Sequence, residues 1–168
     1  MIDPVLEFAS FLGGSGFDTA TAVAVDSSNN VYVTGYTQFA DFKTSPAGLR
    51  LAPNKSTGPN VFLVKLDATT KQIRYVDFFG GSVYDLPYSV KVDSSGAATI
   101  VGTTNSPDMP TVNGLIATPS LFALYPYGFA ARFAPDGSRL VYSTYTGPGD
   151  GVFGVALNAA GAAWPGLP

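Results

Sequence analysis

The chain repeats its own sequence at an interval of 67 residues. The segment FLGGSGFD (Phe11–Asp18) returns as FFGGSVYD (Phe78–Asp85), and residues 11–37 match residues 78–104 at 12 of 27 positions. The same interval, without a gap, carries the sequence that precedes the second GGS motif onto the sequence that precedes its weaker third form, TGPGDG. An interval that persists over this length indicates duplicated structural units.

Each unit contains four short runs in which apolar residues alternate with small or polar ones, which is the pattern of β-strands. These runs, named a to d in order, cover residues 21–26, 30–37, 61–67 and 72–79 in the first unit and residues 88–93, 97–104, 129–134 and 139–145 in the second. Turn residues separate them, and no run has the 3.6-residue period of a helix. The sequence therefore predicts an all-β fold of four-stranded antiparallel sheets arranged as β-propeller blades.

The strand inventory predicts two full blades and partial blades at both ends of a single propeller-repeat unit. A lone strand d occupies residues 5–12, the first blade residues 20–79 and the second blade residues 87–146. Residues 152–168 begin a third blade that ends after strand a and a stub of strand b, where Pro165 opposes a central strand. A ring needs about four to eight blades. We expect it to be closed by self-association of the incomplete blades or by the remaining blades of a longer chain.

The stretch FLGGSGFDTATAVAVDSSNNVYVTGYTQFADFKTSP resembles the unit of the bacterial SBBP repeat, a seven-bladed β-propeller family. The resemblance covers nearly the whole chain and is specific in the order and spacing of the motifs. The second copy departs from the first at Val83, which stands where the first has Gly16, and the third copy is shortened. The resemblance implies an extracellular or cell-surface bacterial protein whose propeller is part of something larger.

Composition excludes several function classes. The chain has no Cys and no His, which removes thiol nucleophiles, Cys/His zinc sites and imidazole-based triads. Nine Lys and Arg against twelve Asp and Glu give a net charge of −3, so no basic field attracts nucleic acid or anionic lipid. The first residues lack the pattern of a signal peptide, and no apolar run has the length of a membrane span. We expect neither nucleic acid nor a membrane as partner.

Two aspartates, Asp18 and Asp85, follow the two GGS motifs and allow two interpretations. They would either ligate calcium where blades meet, because hard cations favour clustered oxygens, or cap the turn that leads into strand a. The cap is favoured because the spacing matches no calcium-binding loop, and no cofactor is then needed. Asp26, Asp93 and Asn158 at the a–b turns are interpreted as Asx-turn residues.

Paired glycines precede these aspartates and suggest a phosphate-binding loop at first sight. They are Gly13, Gly14, Gly80 and Gly81. No Lys-Ser or Lys-Thr pair follows them, and no helix is predicted to present its N-terminus there. We interpret them as the tight crossing from one blade to the next, where glycine permits the backbone angles.

The long connections between strands b and c, residues 38–60 and 105–127, hold the most plausible binding surface. Their aromatic side chains would stack on sugar rings or contact a protein partner; alternatively they cover the ends of the blades or join subunits. The candidate ligand-binding residues are Phe39, Phe42, Phe122, Tyr125 and Tyr127. Trp164 follows the last strand with a clear alternating pattern and is interpreted as a packing residue.

Catalysis has one remaining candidate, a carboxylate pair. Asp41 and Asp108 occupy the same loop position in successive units. A glycosidase needs two carboxyls within about 5–10 Å across a cleft, and nothing in the sequence brings neighbouring loops so close. The sequence thus predicts a non-catalytic scaffold or binding module, and the resemblance to the SBBP repeats implies that it is extracellular. A lectin-like propeller is the alternative, and a carboxylate-based hydrolase or lyase is less favoured.

Overall fold

The computed structural model describes residues 9–42, 48–52, 58–119, 126–149, 151–158 and 161–165, with only the backbone for Trp164 and Pro165. The strands in these ranges are β1 (Asp18–Val25), β2 (Val31–Thr37), β3 (Arg50–Leu51), β4 (Asn60–Leu66), β5 (Ile73–Phe79), β6 (Asp85–Val92), β7 (Ala98–Thr104), β8 (Tyr127–Phe133), β9 (Leu140–Pro148), β10 (Val155–Leu157) and β11 (Ala163–Pro165). None of the described residues belongs to a helix that is long and apolar enough to cross a lipid bilayer.

The strands form antiparallel sheets in sequence order, as blades do. The first blade has the order β1-β2-β4-β5, the second blade has the order β6-β7-β8-β9, and β10 pairs with β11 in a third unit. The all-β fold with four-stranded blades is confirmed, and the predicted strands a to d of both blades coincide with these elements. The hairpins close at turns with a left-handed residue, for example Gly96 at φ +84°.

The duplication extends to strand register. Val33 pairs with Val64 in the first blade, and Ile100 pairs with Ala131 at the corresponding positions of the second. The first strand of each blade is also interrupted by a bulge at the same place, at Thr21 and at Tyr88. The alternation of apolar residues therefore gives both blades the same two faces.

The main core lies between the two blades. Tyr32, Val61, Leu63, Tyr75 and Phe79 of the first blade pack there against ten buried residues from the second blade and its b–c connection. A second cluster, around Phe62 and Phe78, lies on the opposite face of the first blade, and a third, around Val101 and Val155, joins the second blade to the third unit. Each fully buried aliphatic or aromatic side chain contributes about 1.5–3 kcal/mol, so blade-on-blade packing is the dominant stabilising contact.

The b–c connections do something that the sequence did not predict: each folds back along its own strand d. In the first blade, Phe78 donates its N–H to the carbonyl of Leu49 (2.7 Å), and β3 pairs with β5 in parallel. In the second, Tyr145 donates its N–H to the carbonyl of Ile116 (3.1 Å). We call residues 48–51 and 112–116 the straps. They occupy hydrogen-bonding groups on the outer strand that would otherwise be an open sheet edge.

The two ends of the chain differ from the two full blades. Of the predicted strand d over residues 5–12, residues 5–8 lie outside the described residues, and residues 9–12 form no strand. In the third unit, Pro165 lies in the short strand β11 as the register partner of Val155, where the sequence predicted a stub of strand b and no central strand. Proline is tolerated where a strand has a neighbour on one side only, and β11 pairs with β10 alone within the described residues.

Candidate functional site

The crossing between the first and second blades is built around a buried carboxylate. Asp85 has no exposed surface and accepts hydrogen bonds from the N–H of Gly81 (2.8 Å) and from the hydroxyls of Thr104 (2.5 Å) and Ser106 (3.1 Å). Burial raises the pKa of this carboxyl, and the three donors oppose the rise. Asp85 therefore ties the Gly-Gly-Ser loop to the end of β7. The bond that it accepts from the Gly81 N–H is of the kind expected for an aspartate that caps a turn.

A second carboxylate holds each loop from the other side. Asp108 accepts hydrogen bonds from the N–H (2.8 Å) and the hydroxyl (2.9 Å) of Ser82, and Asp41 accepts the same two bonds from Ser15 at 3.0 and 2.5 Å. The Ser82 N–H lowers the pKa of Asp108. The two carboxylates that the sequence offered as a disfavoured catalytic candidate are thus each hydrogen-bonded to the serine of the Gly-Gly-Ser loop in their own unit.

These bonds explain the glycines without an external anion. Successive N–H groups of the loop form a small anion-binding concavity, and aspartates of the chain itself occupy it. Gly80 has φ +153°, and a Cβ there would collide with oxygen atoms of Asn60 and Asp85, so only glycine fits the crossing. The described residues include no group of three or more Asp, Glu, His or Cys placed to hold a metal ion.

In the equivalent loop that precedes the first blade, the aspartate accepts fewer hydrogen bonds than Asp85 does. Asp18 accepts a hydrogen bond from the N–H of Gly14 (2.8 Å), as Asp85 does from Gly81, but its Oδ1 is buried without a hydrogen-bond partner. The reason lies in sequence: Phe39 stands where the second copy has the serine that donates to Asp85, and the Thr37 hydroxyl donates to the Phe39 carbonyl instead (2.7 Å).

Two of the five candidate ligand-binding aromatics lie in the interior, which contradicts that interpretation for them. Phe42 is 4% exposed and contacts Phe62 and Phe78, and Tyr127 is 7% exposed in β8 against Tyr145. A ring packed on both faces cannot stack on a ligand. The remaining three are Phe39, which is half exposed, and Phe122 and Tyr125, which lie outside the described residues.

A polar link that the sequence did not reveal joins the blades. The hydroxyl of Tyr32 lies within hydrogen-bond distance of Asp26 Oδ2 in its own a–b turn (3.1 Å) and of the Gly96 carbonyl in the a–b turn of the next blade (3.0 Å). Lys65 lies 5.0 Å above the Tyr32 ring and donates to the carbonyl of Pro135 in the next blade (3.3 Å). Burial and the negative charge of Asp26 raise the pKa of Tyr32, so the hydroxyl keeps its proton.

The junction between the second blade and the third unit carries a corresponding link. The Arg132 guanidinium forms an ion pair with Asp93 in its own a–b turn and donates to the carbonyl of Gly161 in the next a–b turn. Gly161 is the counterpart of Gly96, because both follow the first residue of their turn by three positions. Two different donors, a hydroxyl and a guanidinium, therefore reach the same acceptor position in successive units.

The clearest asymmetry is on the side of the first blade that faces away from the second, which we call the leading face. Val23 is 64% exposed there, whereas its counterpart in the second blade, Val90, is 2% exposed beneath the first blade. Phe11 is fully exposed, but its counterpart Phe78 is fully buried. The exposed large apolar residues of this part of the chain are Phe11, Phe17, Val23, Val25 and Phe39.

An open cleft of about 380 Å³ lies between turns of the two blades. The charged side chains that line it bind other groups of the chain. Arg74 forms an ion pair with Asp67 (2.5 Å), and Lys65 donates to Pro135 as described above. We therefore do not assign a ligand to it.

Comparison with protein families agrees with this architecture. Residues 11–43 match the family described as SBBP, Beta-propeller repeat. This segment runs from the first Gly-Gly-Ser loop through β1 and β2 to the Phe42 region. The chain matches no curated protein.

Proposed function

We propose that this chain, which carries a repeat of the SBBP beta-propeller family, is a non-catalytic extracellular scaffold or binding module that assembles with a second copy of itself through the leading face. One observation carries the proposal: identical valines at equivalent positions, Val23 and Val90, are exposed in the first blade and buried in the second. The second blade shows what such a face packs against, namely another blade.

The apolar character of the leading face supports an assembly role. Val23 and Val25 are 64% and 56% exposed, and Phe17 is 84% exposed. Side chains of this size contribute about 1.5–3 kcal/mol each on full burial, so a blade that covered all three would gain several kcal/mol. Val23 and Val25 lie on the same side of β1, and an exposed apolar patch is typical of an interface.

The carboxylates of the blade crossings favour a structural role over catalysis. Asp85, Asp41 and Asp108 each accept hydrogen bonds from backbone or hydroxyl groups of a Gly-Gly-Ser loop or its neighbours. A catalytic pair needs two carboxyls that face a common cleft, whereas these groups stabilise loops. The extracellular assignment is supported by the resemblance to the SBBP repeats.

A lectin-like role receives less support from the structure. Phe42 and Tyr127 are core residues, and Phe39 lies close to Gly16, beside the exposed Phe17, at the start of the first blade. Its half-exposed ring therefore contributes to the apolar surface that an adjoining blade would cover. The long b–c connections that looked like binding loops serve in part as straps over β5 and β9.

Size-exclusion chromatography with light scattering tests the proposal. The chain should show a mass above that of the monomer, rising with concentration toward a constant value, since a closed ring has no further free faces. A monomer at every concentration up to the solubility limit overturns self-association. The leading face would then be the docking site for further blades of a longer chain.

A further inference from the structure

We infer that the second copy docks head to tail, with its third unit on the leading face, and that the carbonyl of Asn29 accepts the hydrogen bond that fixes the register. The inference rests on the proposed self-association and adds the orientation and the acceptor. The two blade junctions within the chain provide the pattern for this docking.

The a–b turns of the three units share one geometry. Asn29, Gly96 and Gly161 each donate their N–H to the carbonyl of the first residue of the turn, at 3.0, 3.0 and 2.9 Å. All three have positive φ, at +61°, +84° and +74°. The carbonyl of this residue is therefore presented in the same way at each unit.

At the two junctions within the chain, this carbonyl is the acceptor for the preceding blade. Tyr32 donates to Gly96 from a strand b, and Arg132 donates to Gly161 from a strand c. The donor changes in residue type and in strand, whereas the acceptor does not. A blade that docks on the leading face in the same way would bring a donor to Asn29, whose carbonyl accepts no hydrogen bond from any described residue.

The apolar contacts give the same orientation. Ala22 and Ala24 of the first blade pack against the cluster that contains Val90, with Val92 beside it. The leading face presents Val23 and Val25 at the positions of those two valines. An occupant that continues the array must therefore place small residues of its own strand a over them.

The third unit supplies such residues. Ala156 pairs with residue 164 in the hairpin of β10 and β11, as Ala24 pairs with Tyr32 in the first blade. Ala156 is exposed, whereas its neighbours Val155 and Leu157 pack toward the second blade. The outer side of the third unit is thus the equivalent of the face that the first blade applies to the second, and head-to-tail docking repeats the contact that this face makes at the first junction.

Cysteine cross-linking tests the orientation, because the chain contains no Cys. One preparation carries Val25→Cys and another carries Ala156→Cys; light scattering first shows that each still associates. After mixing, a short bismaleimide should give a covalent dimer as the main product, whereas each variant alone should give only background.

Two matched pairs calibrate this result. The first is Ala24→Cys with Val92→Cys in one chain. At the junction between the first and second blades, these positions are the equivalents of Ala156 and Val25, so they should cross-link within the chain. Leu115→Cys, at a side chain that is 97% exposed on a strap, should give background when mixed with Ala156→Cys. If the chain associates and the internal pair reacts but Val25→Cys and Ala156→Cys do not, head-to-tail docking is wrong and the proposed self-association stands. If the chain does not associate, both are overturned.

Substitution at position 29 tests the acceptor. Asn29→Gly keeps the left-handed turn and its carbonyl, whereas Asn29→Val disfavours that conformation because a β-branched side chain is strained at positive φ. We expect the glycine variant to associate like the wild type and the valine variant to associate with a dissociation constant raised several-fold. Equal dissociation constants for two folded variants overturn the role of the Asn29 carbonyl, and if Asn29→Val fails to fold, Asn29→Ala replaces it.

Discussion

The hydroxyl of Tyr32 in the first blade lies 3.0 Å from the carbonyl oxygen of Gly96 in the second. This contact joins residues 64 positions apart and lies at the edge of the apolar core between the blades. Apolar packing alone tolerates sliding of one sheet over another, whereas a hydrogen bond at a fixed turn selects one register. The blades are therefore held by burial and aligned by polar links at their a–b turns.

Removing the Tyr32 hydroxyl should destabilise the chain. In Tyr32→Phe, the one O–H that lies between the Gly96 carbonyl and the Asp26 carboxylate is lost, and we expect the free energy of unfolding to fall by about 1–3 kcal/mol. Tyr36→Phe, at the next tyrosine along β2, is the matched control and should change it by less than about 0.5 kcal/mol. Urea unfolding followed by circular dichroism measures both, and equal effects would show that the link does not stabilise the fold.

Asp77 should make stability depend on pH. Its carboxyl is completely buried, Oδ1 accepts the N–H of Leu49 in the strap (2.8 Å), and Oδ2 has no partner. Desolvation raises its pKa from 3.8 to about 7. Because the folded state then binds more protons than the unfolded state between these values, the free energy of unfolding should decrease as pH rises from about 4 to about 7.

The variant Asp77→Asn isolates this effect, since Asn keeps an oxygen for Leu49 and carries no charge. A shift of about three units corresponds to about 4 kcal/mol, so the variant should exceed the wild type in stability by an amount of that order at pH 8 and resemble it at pH 4. Urea unfolding at the two pH values gives the difference. A constant difference between the two proteins would mean that Asp77 does not titrate in this range.

The aspartates of the two blade crossings should differ in how much they stabilise the fold. Asp85 accepts bonds from three donors and is fully buried, whereas one oxygen of Asp18 has no partner. We expect Asp85→Ala to cost several kcal/mol and Asp18→Ala about 1–2 kcal/mol, because hydrogen bonds to charged groups are worth about 1.5–3 kcal/mol each. Thermal unfolding in calcium and in EDTA should give the same midpoint. A calcium-dependent midpoint that Asp18→Ala and Asp85→Ala abolish would establish the metal-site interpretation instead.

Truncation of two phenylalanines in one connection should destabilise the fold to very different extents. Phe42→Ala removes a ring that contacts Phe62 and Phe78 in the core, and should cost about 3–5 kcal/mol. Phe39→Ala removes a half-exposed ring and should cost less than about 1 kcal/mol. If Phe39→Ala weakens self-association without loss of stability, its ring belongs to the interface; if it leaves association unchanged, the ring does not contribute.

The strands were predictable because each short run alternates with period two, and the 67-residue interval gave the blades and their order. Whether an individual residue is buried or exposed could not be predicted from the sequence. Val23 and Val90 are the same residue in the same motif, yet one is exposed and one buried, since only the three-dimensional array decides what covers them. Phe42 and Tyr127 stood in long connections that read as loops, and strand β8 begins at Tyr127.

The polar links between blades were hidden from the sequence for a different reason. Thr99 occupies the position of Tyr32, and Lys65 that of Arg132, so the donors do not repeat although the acceptor position does. A search for residue types that repeat every 67 residues misses these donors, because the donor lies on strand b at one junction and on strand c at the next. The positive-φ position of the a–b turn, where Asn29 and Gly96 both stand, was the one signal that could have pointed to the link.

The association of Val23→Asp tests the central claim most directly. A carboxylate on the leading face would be desolvated by a docked blade at a cost of several kcal/mol, but costs little at a position that is 64% exposed in the isolated chain. Leu115→Asp, at an apolar residue on a strap that is 97% exposed, is the control. Light scattering should find Val23→Asp folded and monomeric at concentrations where the wild type and Leu115→Asp are associated. The same associated mass for all three proteins would contradict the assignment of the leading face as the interface.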